Sequence, residues 1–248
     1  MAQPGPLPLA GAGHPGAGSA GGSFSYHCNR CNRCCRDRRI QVNPYEVLRL
    51  ARNRGLTTGE VVERHVDTER MALRRRSDGT CVFLGSSGCT VHADRPLACR
   101  LYPLGRIVRG SDETWVLLPP ADGSEGVRGT TGEVKSYVGK QGAIPYMRAA
   151  DAYHGVVERA LMAGCADETN RNDGSSGRWL LDVDACVETT GEPDVDLALH
   201  LDFLENMRAT GGTRLAVVGL PARAPRKLAG EEPAGSYEHG GDAARDQS

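Results

Sequence analysis

Apolar residues recur at helical spacing in the segment VNPYEVLRLARNRG, where Leu48 and Ala51 lie on one side of the expected helix. The start of this segment carries capping signals. Asn43 can cap the helix, Pro44 fits its first position, and Glu46 can complete a capping box. The glycine that closes the segment suits a helix C-terminus, so the pattern predicts one complete helix here.

A second helix is predicted immediately afterwards, starting at Thr57. Glu60 stands three residues on, at the capping-box spacing. Leu56 and Val61 flank the start and can pack together as a hydrophobic staple. The helical pattern ends near Val66.

Shorter apolar runs follow, and turn residues separate them. MALRRR and CVFL flank the turn SDG, and GSSG comes just before Cys89. These runs predict short strands or extended loops that present Cys81 and Cys89. A further hairpin is predicted from residues 105–109 and 114–119, with GSDE between its strands.

The remainder of the chain returns to helical periodicity over residues 133–140, 145–163 and 195–208. Residues 165–178 are polar and predict a linker. Together these elements predict an α+β fold. Its N-terminal half is small, cysteine-rich and metal-stabilised, with short helices and hairpins, and its C-terminal half is helical.

Composition limits the folded part of the chain. Residues 1–22 are almost entirely Gly, Ala and Pro, and residues 221–248 have a similar character. Such segments cannot bury enough apolar surface to offset their ordering entropy, so both are predicted to be disordered tails. Residues 23–220 are then one cysteine-cluster metal-binding domain with a helical C-terminal part. Aromatic residues make up only 5% of the chain, and metal ligation can add stability to such a core.

Charge and hydropathy exclude several classes of protein. The formal net charge of −1 gives no general attraction to nucleic acid or to a membrane. No apolar run approaches the ~18–20 residues of a membrane-spanning helix. The N-terminus lacks the pattern of a secretory signal, so the expected location is the cytoplasm. In that compartment clustered cysteines indicate metal binding or catalysis, and a disulfide framework is the less favoured alternative.

The main chemical signal is a constellation of cysteines. CNRCNRCC reads C-x2-C-x2-C-C, and a gap of two residues lets successive thiolates converge on one metal. A distal set follows with seven and nine residues between its members. Isolated cysteines are often small buried apolar residues, but this pattern as a set indicates a metal site. The predicted ligands are Cys28, Cys31, Cys34, Cys35, Cys81, Cys89 and Cys99.

The number of ligands exceeds the four that one tetrahedral zinc or one cubane cluster needs. Two zinc ions can use all seven thiolates if one bridges them, or Cys186 can supply an eighth ligand. One cluster with free thiols beside it is the third option. Cys34 and Cys35 are adjacent, and neighbouring side chains in extended chain point apart, so they can serve different roles. Cys165 lies in the polar linker and is expected to be incidental, and His27 and His92 are weaker ligand candidates.

Arginines surround the first cysteine block. They can offset the negative charge of metal-bound thiolates and lower thiol pKa values. A basic patch for nucleic acid or a phosphorylated ligand is the alternative. Few aromatic residues interleave with the arginines, so no stacking platform is predicted and nucleic-acid binding is not expected. These residues are Arg30, Arg33, Arg36, Arg38 and Arg39.

The stretches FSYHCNRCNRCC and CVFLGSSGCTVHADRPLACRLYPLG together resemble the zinc- or iron-chelating cysteine-cluster family often called YkgJ-type. The resemblance covers about residues 24–105 and includes the pattern RPxxCRxYP. It implies bound zinc or iron. Flagellin lysine methylases carry a similar cysteine block, which keeps methylation-related chemistry among the alternatives. The matching positions are the seven cysteines with Arg95, Pro96, Arg100, Tyr102 and Pro103.

The segment RPLACRLYP also has a physical interpretation of its own. Pro96 fits an early helical position or a fixed turn before Cys99. Arg95 and Arg100 can donate hydrogen bonds around the ligands or pair with the charge of a cluster. Alternatively, both arginines bind backbone carbonyl groups and act structurally.

These observations support two classes of function. The first is a metal-binding protein that uses zinc or an iron–sulfur cluster structurally or carries it for delivery. The second is an iron–sulfur enzyme with redox or group-transfer activity. No GxGxxG, P-loop, HExxH or GxSxG motif occurs, and no catalytic residue is identified. The expected partner is the metal ion or cluster, and an anionic protein partner for the arginines is a weaker hypothesis.

Overall fold

The computed structural model describes residues 22–36, 38–162 and 178–209. Over this part of the chain, six α-helices combine with small antiparallel strand pairs, so the predicted α+β class is confirmed. The further division into a cysteine-rich half and a helical half is not confirmed. The helices are α1 (Pro44–Arg54), α2 (Thr58–His65), α3 (Leu97–Leu101), α4 (Val134–Lys140), α5 (Ile144–Met162) and α6 (Pro193–Ala209).

The strands of the described chain pair two by two. Three of the pairs join neighbours in sequence, whereas β1 pairs with β8 across most of the domain. Four strands have only two residues each, and they lie between α2 and α3. The strands are β1 (Ser23–His27), β2 (Val66–Asp67), β3 (Ala72–Leu73), β4 (Leu84–Gly85), β5 (Gly88–Cys89), β6 (Leu104–Arg109), β7 (Asp112–Leu117) and β8 (Val127–Glu133).

Helix α1 forms as its local sequence predicts. The Asn43 side chain accepts a hydrogen bond from the Glu46 backbone N–H at 3.1 Å. Oε2 of Glu46 accepts from the Asn43 backbone N–H at 2.8 Å, which completes the capping box. Gly55 ends the helix with φ of 64°, a left-handed conformation that glycine adopts without a steric penalty. Both predicted ends of this helix are confirmed.

Helix α2 is confirmed in the same way. Thr57 is the residue that caps it, and Glu60 completes a second capping box. The helix ends at His65, next to the predicted end at Val66. Its two valines pack with Val47 and Leu50 of α1 in a buried apolar cluster that also includes Phe83.

Two further apolar clusters complete the core of the described residues. One surrounds Trp115 and joins β1, α3, the β6–β7 hairpin and α4. The other surrounds Tyr45 and Tyr146 and joins α1, α5 and α6. Leu97 of α3 packs against both of these clusters. Helix α3 therefore lies where the separate parts of the core meet.

The β6–β7 hairpin and the three helices after it match the sequence predictions within a few residues. The pairing of β1 with β8 has no counterpart among those predictions. In it, His27 lies opposite Val127, so the chain just before the first cysteine is fixed by a strand a hundred residues later.

Several sequence expectations fall outside the described residues. These are nearly all of the first tail, the whole of the second tail, Cys165, and the polar linker apart from its last residue, Arg178. Among the described helices, none is both long enough and apolar enough to cross a membrane.

Candidate metal centre

Three separate segments carry the seven candidate cysteines. The first is the loop after β1 with Cys28 to Cys35, the second includes Cys81 and Cys89, and the third is α3 with Cys99. The backbone joins the first two directly, because the Cys81 N–H donates to the Cys35 carbonyl at 2.9 Å. The second segment packs through its cysteines against the core of α1 and α2.

The loop between Cys28 and Cys34 has an unusual backbone. Arg30 and Asn32 have φ values of 55° and 59°, in the left-handed region that non-glycine residues seldom adopt. These two residues flank Cys31 on either side. A 3-10 turn at Arg33–Cys35 follows, closed by the Cys35 N–H donating to the Asn32 carbonyl at 3.1 Å. Two left-handed residues and one 3-10 turn thus shape the backbone that carries Cys28, Cys31 and Cys34.

The adjacent Cys34 and Cys35 interact with each other. Cys35 donates its S–H to the sulfur of Cys34, and this bond, with the nearby Arg38 guanidinium, lowers the pKa of Cys34 to about 7. The same hydrogen bond, together with burial, raises the pKa of Cys35. The pKa values of the two neighbours are therefore shifted in opposite directions.

The distal cysteines lie close to this pair. Burial raises the pKa of the Cys99 thiol, and the neighbouring sulfurs of Cys81, Cys34 and Cys89 raise it further. Burial is also the main reason that the pKa values of Cys81 and Cys89 are raised. Part of Cys99 reaches the surface, but its thiol has dense protein around it. Five thiols from three segments thus lie near enough to influence each other's ionisation. We call them the inner thiols: Cys34, Cys35, Cys81, Cys89 and Cys99.

The other two cysteines, Cys28 and Cys31, form an outer pair. Cys28 is exposed, and it lies close enough to Tyr26 and Tyr137 to contribute to their raised pKa values. The sulfur of Cys31 accepts a hydrogen bond from the Glu125 backbone N–H at 3.5 Å. Within residues 22–36, 38–162 and 178–209, no three His, Cys, Asp or Glu side chains already converge as a metal-binding set. The thiols of the described residues lie in one region, but no three of them converge on a single position as metal ligands do.

Cys186 has different surroundings. It is buried after a 3-10 turn at Val183–Ala185, and this turn contacts α2 and α6. Its thiol donates to the Trp179 carbonyl at 3.5 Å. The structure therefore places Cys186 in the core, next to the turn that contacts α2 and α6.

Arg95 and Arg100 take up unlike positions around Cys99. Arg95 donates to the His92 carbonyl and to Oε1 of Gln141, both at 2.7 Å, and its charge opposes part of the rise that burial causes in the pKa of Cys89. Arg100 donates to the carbonyls of Arg95 and Gln141 at 2.9 Å, and to the carbonyl of Ala93. Arg100 is thus bound to backbone carbonyls, as in the structural alternative, whereas Arg95 faces the thiols.

The hydroxyl of Tyr146 also accepts a hydrogen bond from Arg100, at 2.8 Å. The guanidinium carbon of Arg100 lies 4.0 Å from the centre of the same ring. This cation–π contact ties α3 to α5, and the segment that carries Cys99 is therefore held from the C-terminal side of the fold.

Glu46 is a site residue that the sequence analysis did not identify as such. It is buried, and its Oε1 accepts a hydrogen bond from the Leu97 backbone N–H at 2.6 Å. Burial raises the pKa of Glu46 to about 7, although the backbone N–H groups of Leu97 and Asn43 and the charge of Arg100 act in the opposite direction. One carboxylate thus completes the cap of α1 and anchors the first turn of α3. The capping box already accounts for Glu46 locally, so no local pattern predicted its second contact.

Of the five arginines around the first block, only Arg38 is drawn inward. Its Nη2 donates to the Pro119 carbonyl at 2.8 Å, and its Nε is buried with no hydrogen-bond partner. The other four are exposed: Arg30, Arg33, Arg36 and Arg39.

The donor set fits zinc or iron chemically. Thiolate sulfur is the ligand that zinc accepts in structural sites and that holds iron–sulfur clusters. The inner thiols alone exceed the four sulfurs of such a site. A buried guanidinium N–H without an acceptor beside them fits a bound anionic thiolate group.

Comparison with protein families gives one match. Residues 27–118 match the CxxCxxCC family, described as "Putative zinc- or iron-chelating domain". This range contains all seven candidate cysteines, and it confirms the family resemblance seen in the sequence. Neither the curated proteins nor the solved structures include a match to this chain.

Proposed function

Because residues 27–118 belong to the CxxCxxCC zinc- or iron-chelating family, we propose that this protein binds its metal through the seven cysteines of that region. The observation that carries the proposal is the gathering of the five inner thiols from three segments. A single buried cysteine can serve as a small apolar residue, but five thiols gathered from three segments supply the soft ligands that zinc or an iron–sulfur cluster requires.

The metal acts in this proposal as a cross-link between segments that have little regular structure. Between α2 and α3 the chain forms only two-residue strands and isolated bridges. The loop with Cys28 and Cys31 depends on left-handed residues and a single 3-10 turn. Binding free energy of a structural metal adds directly to folding free energy. A metal bound by thiols from all three segments therefore stabilises the part of the domain that the apolar core holds least.

The positions of the seven thiols favour different roles for them in metal ligation. The inner thiols supply the primary ligands. The outer pair, Cys28 and Cys31, joins them when the loop closes over the metal, either to complete a second site or to bridge. The C-x2-C-x2-C run resembles the ligation of ferredoxins, and on that ground we place an iron–sulfur cluster ahead of zinc.

An iron–sulfur enzyme with redox or group-transfer activity is the second candidate. It is favoured by the exposure of Cys28, which leaves one thiol of the block accessible to other molecules. The proposed binding function does not depend on this activity. The two differ in whether Cys28 is consumed or modified during a reaction.

Anaerobic purification followed by elemental analysis, sulfide assay and absorption spectroscopy tests the proposal. We expect stoichiometric iron with acid-labile sulfide and a brown protein. A colourless protein with stoichiometric zinc would keep the binding function and exclude the iron–sulfur cluster. Protein that contains neither metal, and that binds neither on reconstitution under reducing conditions, would overturn the proposed function.

A further inference from the structure

Arg38 differs from every other arginine of the first cysteine block. Its guanidinium carbon lies 4.8 Å from the centre of the Tyr102 ring, which places the charged group over an aromatic face. Its Nη2 is fixed by the Pro119 carbonyl at 2.8 Å. A planar guanidinium held by a ring and a carbonyl has little freedom, so its remaining N–H groups point in fixed directions.

One of these remaining groups has no partner. Nε of Arg38 is buried, and no acceptor lies within hydrogen-bond reach among the described residues. A buried donor without an acceptor destabilises the folded protein, and more so when the donor is charged. Native proteins seldom leave such a group unpaired, so a missing acceptor indicates a bound group or a change in a nearby side chain.

The surroundings of Arg38 indicate which group can accept a hydrogen bond from its Nε–H. Its charge acts on Cys34, one of the inner thiols. The ring under it, Tyr102, meets Tyr26 edge-on at 5.9 Å, and Tyr26 in turn lies near Cys34 and Cys28. Arg38, the two rings and Cys34 thus form one contiguous group at the edge of the inner thiols. The unpaired N–H and the sulfur of Cys34 belong to the same small region.

We propose that Arg38 is a positioning residue whose Nε–H donates to the metal-bound thiolate of Cys34 and so strengthens metal binding. The inference rests on the proposed function and assigns one named residue to it. Tyr102, which belongs to the RPxxCRxYP pattern, acquires a role as the platform that orients Arg38. The exposed arginines around the block contribute through their general charge, which salt screens, whereas the buried contact of Arg38 is screened much less.

Zinc affinity of the full chain, measured by competition with a chromophoric chelator under reducing conditions, tests this inference. The variant Arg38→Gln removes the charge and the Nε–H, and Arg39→Gln is the matched control at the exposed neighbour. We expect Arg38→Gln to weaken zinc binding by about 10-fold or more, as is typical for groups that support metal ligands. At high salt, where the general charge of the exposed arginines is screened, Arg39→Gln keeps the affinity of the unchanged protein and the weaker binding of Arg38→Gln persists.

Equal affinities for the two variants overturn the inference, whether both bind like the unchanged protein or both lose the same factor. If Arg38→Gln does not fold, the pair Arg38→Lys and Arg39→Lys replaces it. Lysine keeps the charge and lacks the planar Nε–H, so weaker binding by Arg38→Lys alone supports the inference and equal binding overturns it. Failure of the unchanged protein to bind zinc or iron refutes the proposed function itself, which distinguishes the two failures.

Discussion

The pair of helices α1 and α2 and the cysteine segments on either side of it are neighbours in sequence, yet they are held together by different means. Each helix begins with a complete capping box and ends at a well-defined residue. The valines of the pair, with Leu50, are almost fully buried. The cysteine segments have short strands, left-handed non-glycine residues and thiols with raised pKa values.

The two regions obtain their stability from different sources. Helical structure in α1 and α2 follows from local signals and from apolar burial, which need no ligand. The cysteine segments bring polarisable side chains together at a cost in desolvation and backbone strain. Under the proposed function, binding of the metal offsets this cost, so the cysteine segments are less stable without it. The comparison can be tested by perturbing each region separately.

Removal of the metal is expected to have the largest effect. The apparent free energy of a structural zinc site in small peptides is about 10–16 kcal/mol, so the cysteine segments depend on it strongly. With a chelator, hydrogen exchange at the backbone N–H groups of Cys35 and Cys81 should accelerate far more than at Leu50 and Val62 of the two helices. Equal acceleration in both regions would show that the helices depend on the metal as well.

Replacement of single cysteines should lower the amount of bound metal more at an inner thiol than at a cysteine of the outer pair. Cys99→Ser removes a thiol that has several others beside it, and we expect this variant to lose most of its bound metal. Cys28→Ser alters an exposed residue and should keep a larger share. Elemental analysis of both variants, with cobalt(II) as an optical probe of thiolate ligation, measures the difference. The reverse order would contradict the division.

The ionisation of Glu46 should make stability depend on pH. Burial raises its pKa from 4.5 to about 7, so its contribution to stability is complete below 4.5 and is lost as the pH rises through about 7. The advantage of the unchanged protein over Glu46→Gln should therefore fall between pH 5 and 8, by about 3 kcal/mol at most. Urea unfolding of both proteins across this range measures it.

Glu60→Gln is the matched control, since Glu60 occupies the same place in the capping box of α2. Hydrogen bonding to the Thr57 backbone N–H lowers the pKa of Glu60, so its contribution is lost only as the pH falls below its ordinary value of 4.5. The effect of this variant should be constant from pH 5 to 8. A parallel pH dependence for the two variants would contradict the assignment to Glu46.

The smallest effect is expected from Thr57→Ala. Loss of this cap removes the bond that the Glu60 N–H donates at 3.1 Å and should cost about 1 kcal/mol. Metal affinity should not change, because these hydrogen bonds of Thr57 are made with Glu60 of the same helix and not with the cysteine segments. Chemical denaturation together with zinc competition checks both statements, and a clear loss of affinity would link the two regions.

Sequence reasoning succeeded where the determining interactions are local. Asn43, Gly55 and Thr57 predicted the helix ends because capping depends on residues within one turn. The β6–β7 hairpin followed from two apolar runs around a turn. Seven cysteines pointed to a metal site through their spacing alone, and the family match supports metal binding in general.

Interactions between distant segments could not be predicted in this way. Nothing in the five residues of β1 indicates that they pair with Val127–Glu133. The bond from the Leu97 N–H to Glu46 joins positions 51 residues apart, and Glu46 already had a complete local explanation. Arg38 is one of several similar arginines, and only its packing on Tyr102 distinguishes it. Such features depend on the tertiary arrangement, which a single sequence does not encode in any local pattern.

The pairing of His27 with Val127 has a consequence for synthesis of the protein. A ribosome adds about 5–20 residues per second, so the partner strand is made about 5–20 s after the first cysteine block has been translated. Throughout that interval the strand that orients the block has no partner, and its thiols are open to oxidation or to the wrong metal. Under the proposed function we therefore expect stable metal loading to follow translation of the partner strand, and reducing conditions to protect the thiols of the nascent chain until then.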